Sequence, residues 1–124
     1  MQQAQILAYG VDEPLAGRLQ KLGHDEGIWV RAVQQLRACR DLLRDAGPAV
    51  LIVMLGKDVA EELALVEEVG RVWPDTAVIV ISDTDNPALA ALAWDLGARC
   101  VLQPPLSIEL LPPIVVKFLT GDGR

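Results

Sequence analysis

Short apolar runs alternate along the chain with longer stretches in which apolar residues recur every three or four positions. The short runs predict β-strands and cover residues 5–9, 27–33, 50–55, 77–82 and 100–102. The longer stretches predict helices and cover residues 13–23, 34–47, 58–73, 86–97 and a part of 107–119. Such alternation is typical of an α/β fold in which right-handed crossovers connect parallel strands.

The third and fourth runs, VLIVML and AVIVIS, are apolar until Ser82, as strands buried on both faces are. Residues that are typical of helix caps lie at the ends of several predicted helices. We expect Gly23 to end the first helix, and Asp58 and Asn86 to be the N-caps of the third and fourth. In the third helix, the glutamates, including Glu62, are expected on the side that faces solvent.

A length of 124 residues predicts one domain, 1–124, of which 119–124 is expected to be a flexible tail. The composition, 52% hydrophobic and 23% charged, is that of a globular chain. No apolar run approaches the roughly 20 residues of a membrane-spanning helix, and the N-terminus lacks the basic start of a signal peptide. We therefore expect a cytoplasmic protein without membrane contact.

Charge and cysteine content narrow the function further. The net charge is −6 and the 11 basic residues are scattered, which argues against direct nucleic-acid binding by this domain. Cys39 and Cys100 lack the spacing of metal ligands and have no neighbouring histidine, so they are expected to be reduced structural thiols. We predict neither a metal ion nor an organic cofactor.

Four segments in order resemble the receiver domain of bacterial response regulators. They are ILAYGVDEPLAGRLQKLGH, PAVLIVM, PDTAVIVIS and LGARCVLQPPLSIELL, and the resemblance covers nearly all of residues 4–119. It implies a flavodoxin/CheY-like, doubly wound sheet of five parallel strands in the order 2-1-3-4-5, with five helices. It also implies a role in two-component signalling.

The same resemblance implies a phosphorylation site that this chain does not reproduce. Receivers hold Mg²⁺ between acids that follow strand one and an acceptor aspartate that follows strand three, and a lysine after strand five contacts the phosphoryl group. Met54 occupies the position of the acceptor aspartate. Its thioether can neither accept a phosphoryl group nor bind Mg²⁺ well. Pro104 occupies the position of the lysine, and Val101 occupies that of an aromatic switch residue. Ser82 retains the type of residue found at the other switch position.

The acids after strand one allow two interpretations. Asp12 and Glu13 could supply the cation-binding pair if the loop is shifted by one or two residues, or they could simply cap the first helix. Asp58 could replace the acceptor, although a helix cap explains it as well. The resemblance also suggests a cis peptide bond before Pro105, with a structural role only.

Apolar residues in the fourth and fifth helices exceed what one buried stripe needs. The stripe predicted to pack on the core in the fourth helix is Leu89, Leu92, Ala93 and Leu96. The surplus predicts an interaction face built from the fourth helix, fifth strand and fifth helix. Its expected residues are Trp94, Val101, Leu110, Leu111, Val115 and Phe118. Because two prolines interrupt the last segment, its helix is expected to start near Pro112 or Pro113.

The leading hypothesis is a pseudo-receiver, a non-enzymatic signalling module that dimerises or binds a protein partner without aspartyl phosphorylation. It could be the regulatory domain of a longer response or transcriptional regulator. One alternative is a phosphorylatable receiver with a rearranged site that uses Asp12, Glu13 or Asp58. Another is a flavodoxin-like binder of a nucleotide or flavin, which the acids in YGVDEPLAG disfavour because they would repel a phosphate.

Overall fold

The computed structural model describes residues 5–56, 58–103 and 108–119. Five strands alternate with five helices: β1 Gln5–Tyr9, α1 Glu13–Glu26, β2 Trp29–Val33, α2 Leu36–Ala46, β3 Val50–Met54, α3 Val59–Val72, β4 Ala77–Ile81, α4 Pro87–Asp95, β5 Cys100–Leu102 and α5 Leu111–Leu119, the last preceded by a 3₁₀ turn at Ile108–Leu110. All strand pairs are parallel, and the order is β2-β1-β3-β4-β5. The predicted α/β fold class is therefore confirmed.

Two hydrophobic cores lie on opposite faces of the sheet. The first core, between the sheet and α2, α3 and α4, contains Cys39, Val66 and Ala93. The second core, between the sheet and α1 and α5, contains Leu19 and Val115. Every residue of β4 and the first four residues of β3 are buried, as the unbroken apolar runs predict.

Helix α1 does not end where the sequence predicts. Gly23 lies within the helix, which continues through the exposed His24 and ends at Gly27 in the left-handed conformation with φ 67°. A Cβ atom on Gly23 would lie 2.6 Å from the carbonyl oxygen of Ile28 and from a methyl group of Val30. Gly23 is thus required for the close approach of α1 to the chain entering β2, rather than for ending the helix.

Helices α3 and α4 start as predicted. The side chain of Asp58 accepts a hydrogen bond from the backbone N–H of Glu61 at 3.1 Å, and that of Asn86 accepts one from Leu89 at 3.1 Å. The stripe predicted for α4 is partly wrong, because Leu92 is exposed while Ala90 packs against the first core.

The end of the chain agrees in part with the prediction. Helix α5 begins at Leu111, which places Pro112 in its first turn, where the missing N–H costs no helical hydrogen bond. Leu119 is the last residue of this helix, so the tail predicted for 119–124 starts at least one residue too early. The remainder of that tail lies outside the described residues. Among the helices of the described ranges, none has the length and hydropathy to cross a membrane.

Candidate functional site

An open cleft of about 500 Å³ lies at the carboxyl ends of the strands, where parallel α/β sheets bind their ligands. The loops after β1, β3 and β4 form most of it. Its lining residues are Gly10, Val11, Asp12, Glu13, Gln34, Met54, Leu55, Gly56 and Asp83. The cleft therefore combines an apolar floor with three carboxylates at its rim.

Met54 occupies the tip of β3, opposite Ile81 of β4 in the sheet register. Its half-buried side chain packs against the second core and contributes to the wall of the cleft. It also lines a second, smaller cleft of about 220 Å³ beside α1, together with Asp12 and Arg18. A sulfur-containing side chain thus lies where the resemblance to receivers implies the acceptor carboxylate.

The first two positions after β1 do not present acidic groups to the cleft. Gly10 has φ 74°, and a Cβ atom there would lie 3.3 Å from the carbonyl oxygen of Met54. Any side chain at Gly10 would be both strained and crowded. Val11 follows it and is buried in the second core.

Asp12 is the N-cap of α1, as one of the two interpretations predicts. Its carboxylate accepts a hydrogen bond of 3.0 Å from the backbone N–H of Leu15. Glu13 occupies the first turn of α1, where the helix dipole favours an acid. Both residues are exposed and line the cleft, where they are joined by Asp83 from the loop after β4.

These carboxylates do not form a magnesium site of the kind that the resemblance implies. Across the ranges that the structure describes, no three His, Cys, Asp or Glu residues come together closely enough to hold a metal ion. Mg²⁺ requires near-octahedral oxygen coordination, and the side chain at the tip of β3 offers sulfur. The described residues therefore do not supply the arrangement of acids that the resemblance implies.

Glu62 is a component of this region that the sequence prediction missed. It is buried, and its carboxylate accepts a hydrogen bond of 3.0 Å from the backbone N–H of Gly56, which lines the cleft. The expectation that Glu62 faces solvent is wrong. Its spacing contained a signal, because positions 59, 62, 66 and 69 follow one helical stripe whose other members are Val59, Val66 and Val69.

The acidic groups of α3 also affect Tyr9, which ends β1. Burial raises the pKa of the Tyr9 phenol above its usual value, and the negative charges of Glu61 and Glu62 add to this. The phenol of Tyr9 is therefore neutral at physiological pH. Asp58, whose charge contributes in the same direction, caps α3 and is not among the residues that line the cleft.

Ser82, at the end of β4, is buried and hydrogen-bonded within its own loop. Its hydroxyl lies 3.0 Å from that of Thr84 and accepts a hydrogen bond of 3.2 Å from the backbone N–H of Thr84. This arrangement turns the hydroxyl toward its own loop, and Ser82 is not among the residues that line the cleft. The predictions about Pro104 and the cis bond at Pro105 fall outside the described residues.

The predicted interaction face needs correction in three of its six residues. Val101, Leu111 and Val115 are buried in the two cores, because each points inward from β5 or α5. They cannot present a surface to a partner. Trp94 and Leu110 are exposed by 51% and 44%, and Phe118 is half-buried against the second core.

Comparison with known proteins reveals similarity of structure rather than of sequence. No protein-family model matches the sequence, and no curated protein matches it significantly. Solved structures match over almost the whole chain. A response regulator from Thermotoga maritima superposes with a TM-score of 0.82 at 18% identity, covering 95% of this chain and 98% of its own.

Two further structures agree with this result. HP1043, described as an orphan response regulator of H. pylori, has a TM-score of 0.80 at 19% identity over 94% of this chain and 96% of its own. The beryllofluoride-activated NtrC4 receiver domain dimer has a TM-score of 0.80 at 19% identity, with coverages of 97% and 98%. The chain therefore has the fold of response regulator receiver domains, in agreement with the strand order that the resemblance implies.

Proposed function

We propose that this chain is a pseudo-receiver, a signalling module that acts through protein–protein contacts and does not depend on phosphorylation of an aspartate. The proposal makes it a binding module and not an enzyme. It is compatible with a regulatory role in a longer response or transcriptional regulator. The single observation that carries it is the position of Met54 at the tip of the central strand, in the wall of the cleft.

The surrounding acids support the same conclusion, because three of them already have a structural partner. Asp12 caps α1, Asp58 caps α3, and Glu62 is buried against Gly56. Glu13 is exposed in the first turn of α1, where the helix dipole explains an acid. Phosphoryl transfer needs a positioned oxygen nucleophile together with screening of charge, and Met54 at the tip of β3 supplies no such oxygen.

Incubation with Mg²⁺ and acetyl phosphate, followed by intact-mass analysis, tests this proposal. A phosphorylatable receiver treated in parallel shows that the donor is active. We expect that domain to gain a phosphoryl group and this chain to gain none. A stable adduct, located by fragmentation at Asp12, Glu13 or Asp58, would instead establish a rearranged but active receiver.

A protein interface on the α4/β5/α5 face is the second part of the proposal, with a second copy of the chain as the expected partner. The exposed surface of α4 supports it, since Asp95 is the only charged residue of that helix. Trp94 and Leu92 are exposed on α4, and Leu110 is exposed in the 3₁₀ turn just before α5. Exposed tryptophan side chains are frequent energetic centres of protein interfaces. The solved NtrC4 receiver, which has the same fold, is described as a dimer.

Sedimentation velocity over a wide concentration range tests the interface, and the chain contains a matched control. Trp29 is 54% exposed on β2, the strand at the other edge of the sheet, whereas Trp94 is 51% exposed on α4. We expect a dimer that Trp94→Glu weakens by at least about tenfold, as loss of a central anchor does. Trp29→Glu should leave the dimer unchanged. A wild type that stays monomeric at every concentration, or equal effects of both variants, would contradict this interface.

A further inference from the structure

Met54 is the only methionine within the described residues, and it lines two clefts that open to solvent. The chain contains two methionines, the other being Met1. The side chain of Met54 is half-buried and contributes to the walls of both clefts, of about 500 and 220 Å³. Both clefts are open to solvent, so a molecule as small as hydrogen peroxide can enter the space beside Met54.

We infer that Met54 is an oxidation site, at which a hydroperoxide converts the thioether to a sulfoxide and thereby makes the tip of β3 polar. The inference extends beyond the proposed function and does not depend on it. A sulfur lone pair attacks the terminal oxygen of the peroxide, so that an S–O bond forms and the O–O bond breaks. The sulfur loses two electrons, and the peroxide is reduced to water or an alcohol, which keeps the peroxide proton.

The surroundings of Met54 contain a donor that suits the product. The guanidinium-bearing Arg18 lines the smaller cleft with Met54, and among the described residues it has no hydrogen-bond or ion-pair partner. A sulfoxide oxygen is a strong acceptor, and a bond from a charged donor is stronger than one between neutral groups. Within the described part of the chain, Arg18 is thus an unpaired cation in the same cleft as the sulfur to which the negatively polarised oxygen would be bonded.

Oxidation of Met54 is also expected to disturb the apolar contacts that this residue makes with the second core. The residue packs against the second core, next to a cleft wall that includes Leu15. A polar oxygen added to an apolar contact disrupts it, which is how methionine oxidation commonly perturbs cores. Oxidation is therefore expected to lower the stability of the fold, and Arg18 to limit that loss.

Peptide mapping after treatment of the folded protein with hydrogen peroxide tests accessibility. N-acetylmethionine amide in the same tube provides the reference rate for a fully exposed thioether. We expect Met54 to gain one oxygen atom at a rate within about tenfold of the reference, and methionine sulfoxide reductase to remove it. A rate more than about a hundredfold slower, with normal oxidation in urea, would overturn the inference because it would show a protected core residue.

Urea unfolding of the oxidised protein tests the consequence. Met54→Leu is the matched control, since leucine conserves volume and cannot be oxidised in this way. Oxidation should lower the midpoint of the wild type, lower that of Arg18→Ala further, and leave that of Met54→Leu unchanged. Equal midpoints before and after complete oxidation of Met54, or an equal loss in wild type and Arg18→Ala, would refute the assigned effect on the cleft.

Discussion

The carboxylate of Glu62 and the backbone N–H of Gly56 form a hydrogen bond of 3.0 Å that connects α3 to the loop after β3. Glu62 is buried, although it belongs to a helix whose other glutamates are exposed or half-buried. The bond therefore fixes the backbone directly beside the cleft. A buried carboxylate that satisfies a backbone donor is a structural component of this site and not a solvated charge.

Removal of the Glu62 side chain should destabilise the protein measurably. Glu62→Ala leaves the Gly56 N–H without its partner, so the free energy of unfolding should fall by about 1–3 kcal/mol. Urea denaturation measures the change. Glu67→Ala on the exposed side of α3 is the control, with an expected change within about 0.5 kcal/mol. Equal effects of the two substitutions would mean that the bond to Gly56 contributes nothing.

The misassignment of Glu62 has a physical reason. Patterns of apolar residues identify the buried side of a helix well, but a charged residue within that stripe is read as solvent-exposed by default. Its burial depends on the Gly56 N–H, which only the folded β3–α3 loop brings within reach. A partner of this kind is created by tertiary structure and has no counterpart in local sequence.

Gly10 provides a second test, because its backbone conformation is unfavourable for other residues. With φ at 74°, Gly10→Ala should lower the free energy of unfolding by about 1–2 kcal/mol. Gly17, in the exposed middle of α1 with no atom within 4 Å of an added Cβ, is the matched control. There, Gly17→Ala should raise stability by about 0.5–1 kcal/mol, as removal of glycine from a helix interior does. A stabilising Gly10→Ala would show that this turn is not strained by a side chain.

The fold was predictable because its determinants are local and repeated. The apolar runs of β3 and β4 are buried on both faces, and this excludes most arrangements other than a parallel sheet covered by helices.

The first error in the predicted fold, at Gly23, arose because a glycine can end a helix or permit close packing, and only the contact with Val30 decides between these roles. The second, at Leu92, arose because α4 is apolar on most of its circumference, so periodicity does not define its buried side.

The candidate site was only partly predictable. Met54 and Asp12 lie in the cleft wall as their positions at strand ends predict. The loop after β4 also carries Asp83 to the same cleft. Side-chain direction at the end of a strand depends on the loops around it, and sequence spacing alone does not define those loops.

Asp12 allows its two interpretations to be separated by experiment. Asp12→Ala should lower the free energy of unfolding by about 1 kcal/mol through loss of the cap, while Asp12→Ser should retain most of it because serine also caps helices. Thermal unfolding with and without millimolar Mg²⁺ completes the test. We expect no stabilisation by Mg²⁺ in the wild type or in Asp12→Ser. If Mg²⁺ stabilised the wild type but not Asp12→Ser, the Asp12 carboxylate would be a cation ligand.

The thiol of Cys39 is expected to be chemically inert in the folded protein. It is fully buried in the first core, and burial raises its pKa from 9.0 to about 12, an effect that the charge of Glu68 increases and that of Arg40 opposes. Iodoacetamide at pH 8 should therefore label Cys39 only in urea. Cys100 is half-buried, so it should react faster in the native state, although burial raises its pKa as well.

The raised pKa of Cys39 also predicts how stability depends on pH. Between the unfolded pKa near 9.0 and the folded pKa of about 12, the unfolded chain has lost the thiol proton while the folded chain retains it. Raising the pH therefore favours unfolding, and the free energy of unfolding should fall by up to about 1.4 kcal/mol per pH unit in this window. Below pH 8 the thiol is protonated in both states, so it does not make the free energy of unfolding depend on pH.

Urea denaturation from pH 8 to 10.5 measures this decrease in the free energy of unfolding. The Cys39→Ala variant separates it from the titration of Tyr9, whose pKa is also raised. If the slopes of wild type and Cys39→Ala coincide, the thiol is not held protonated by its burial.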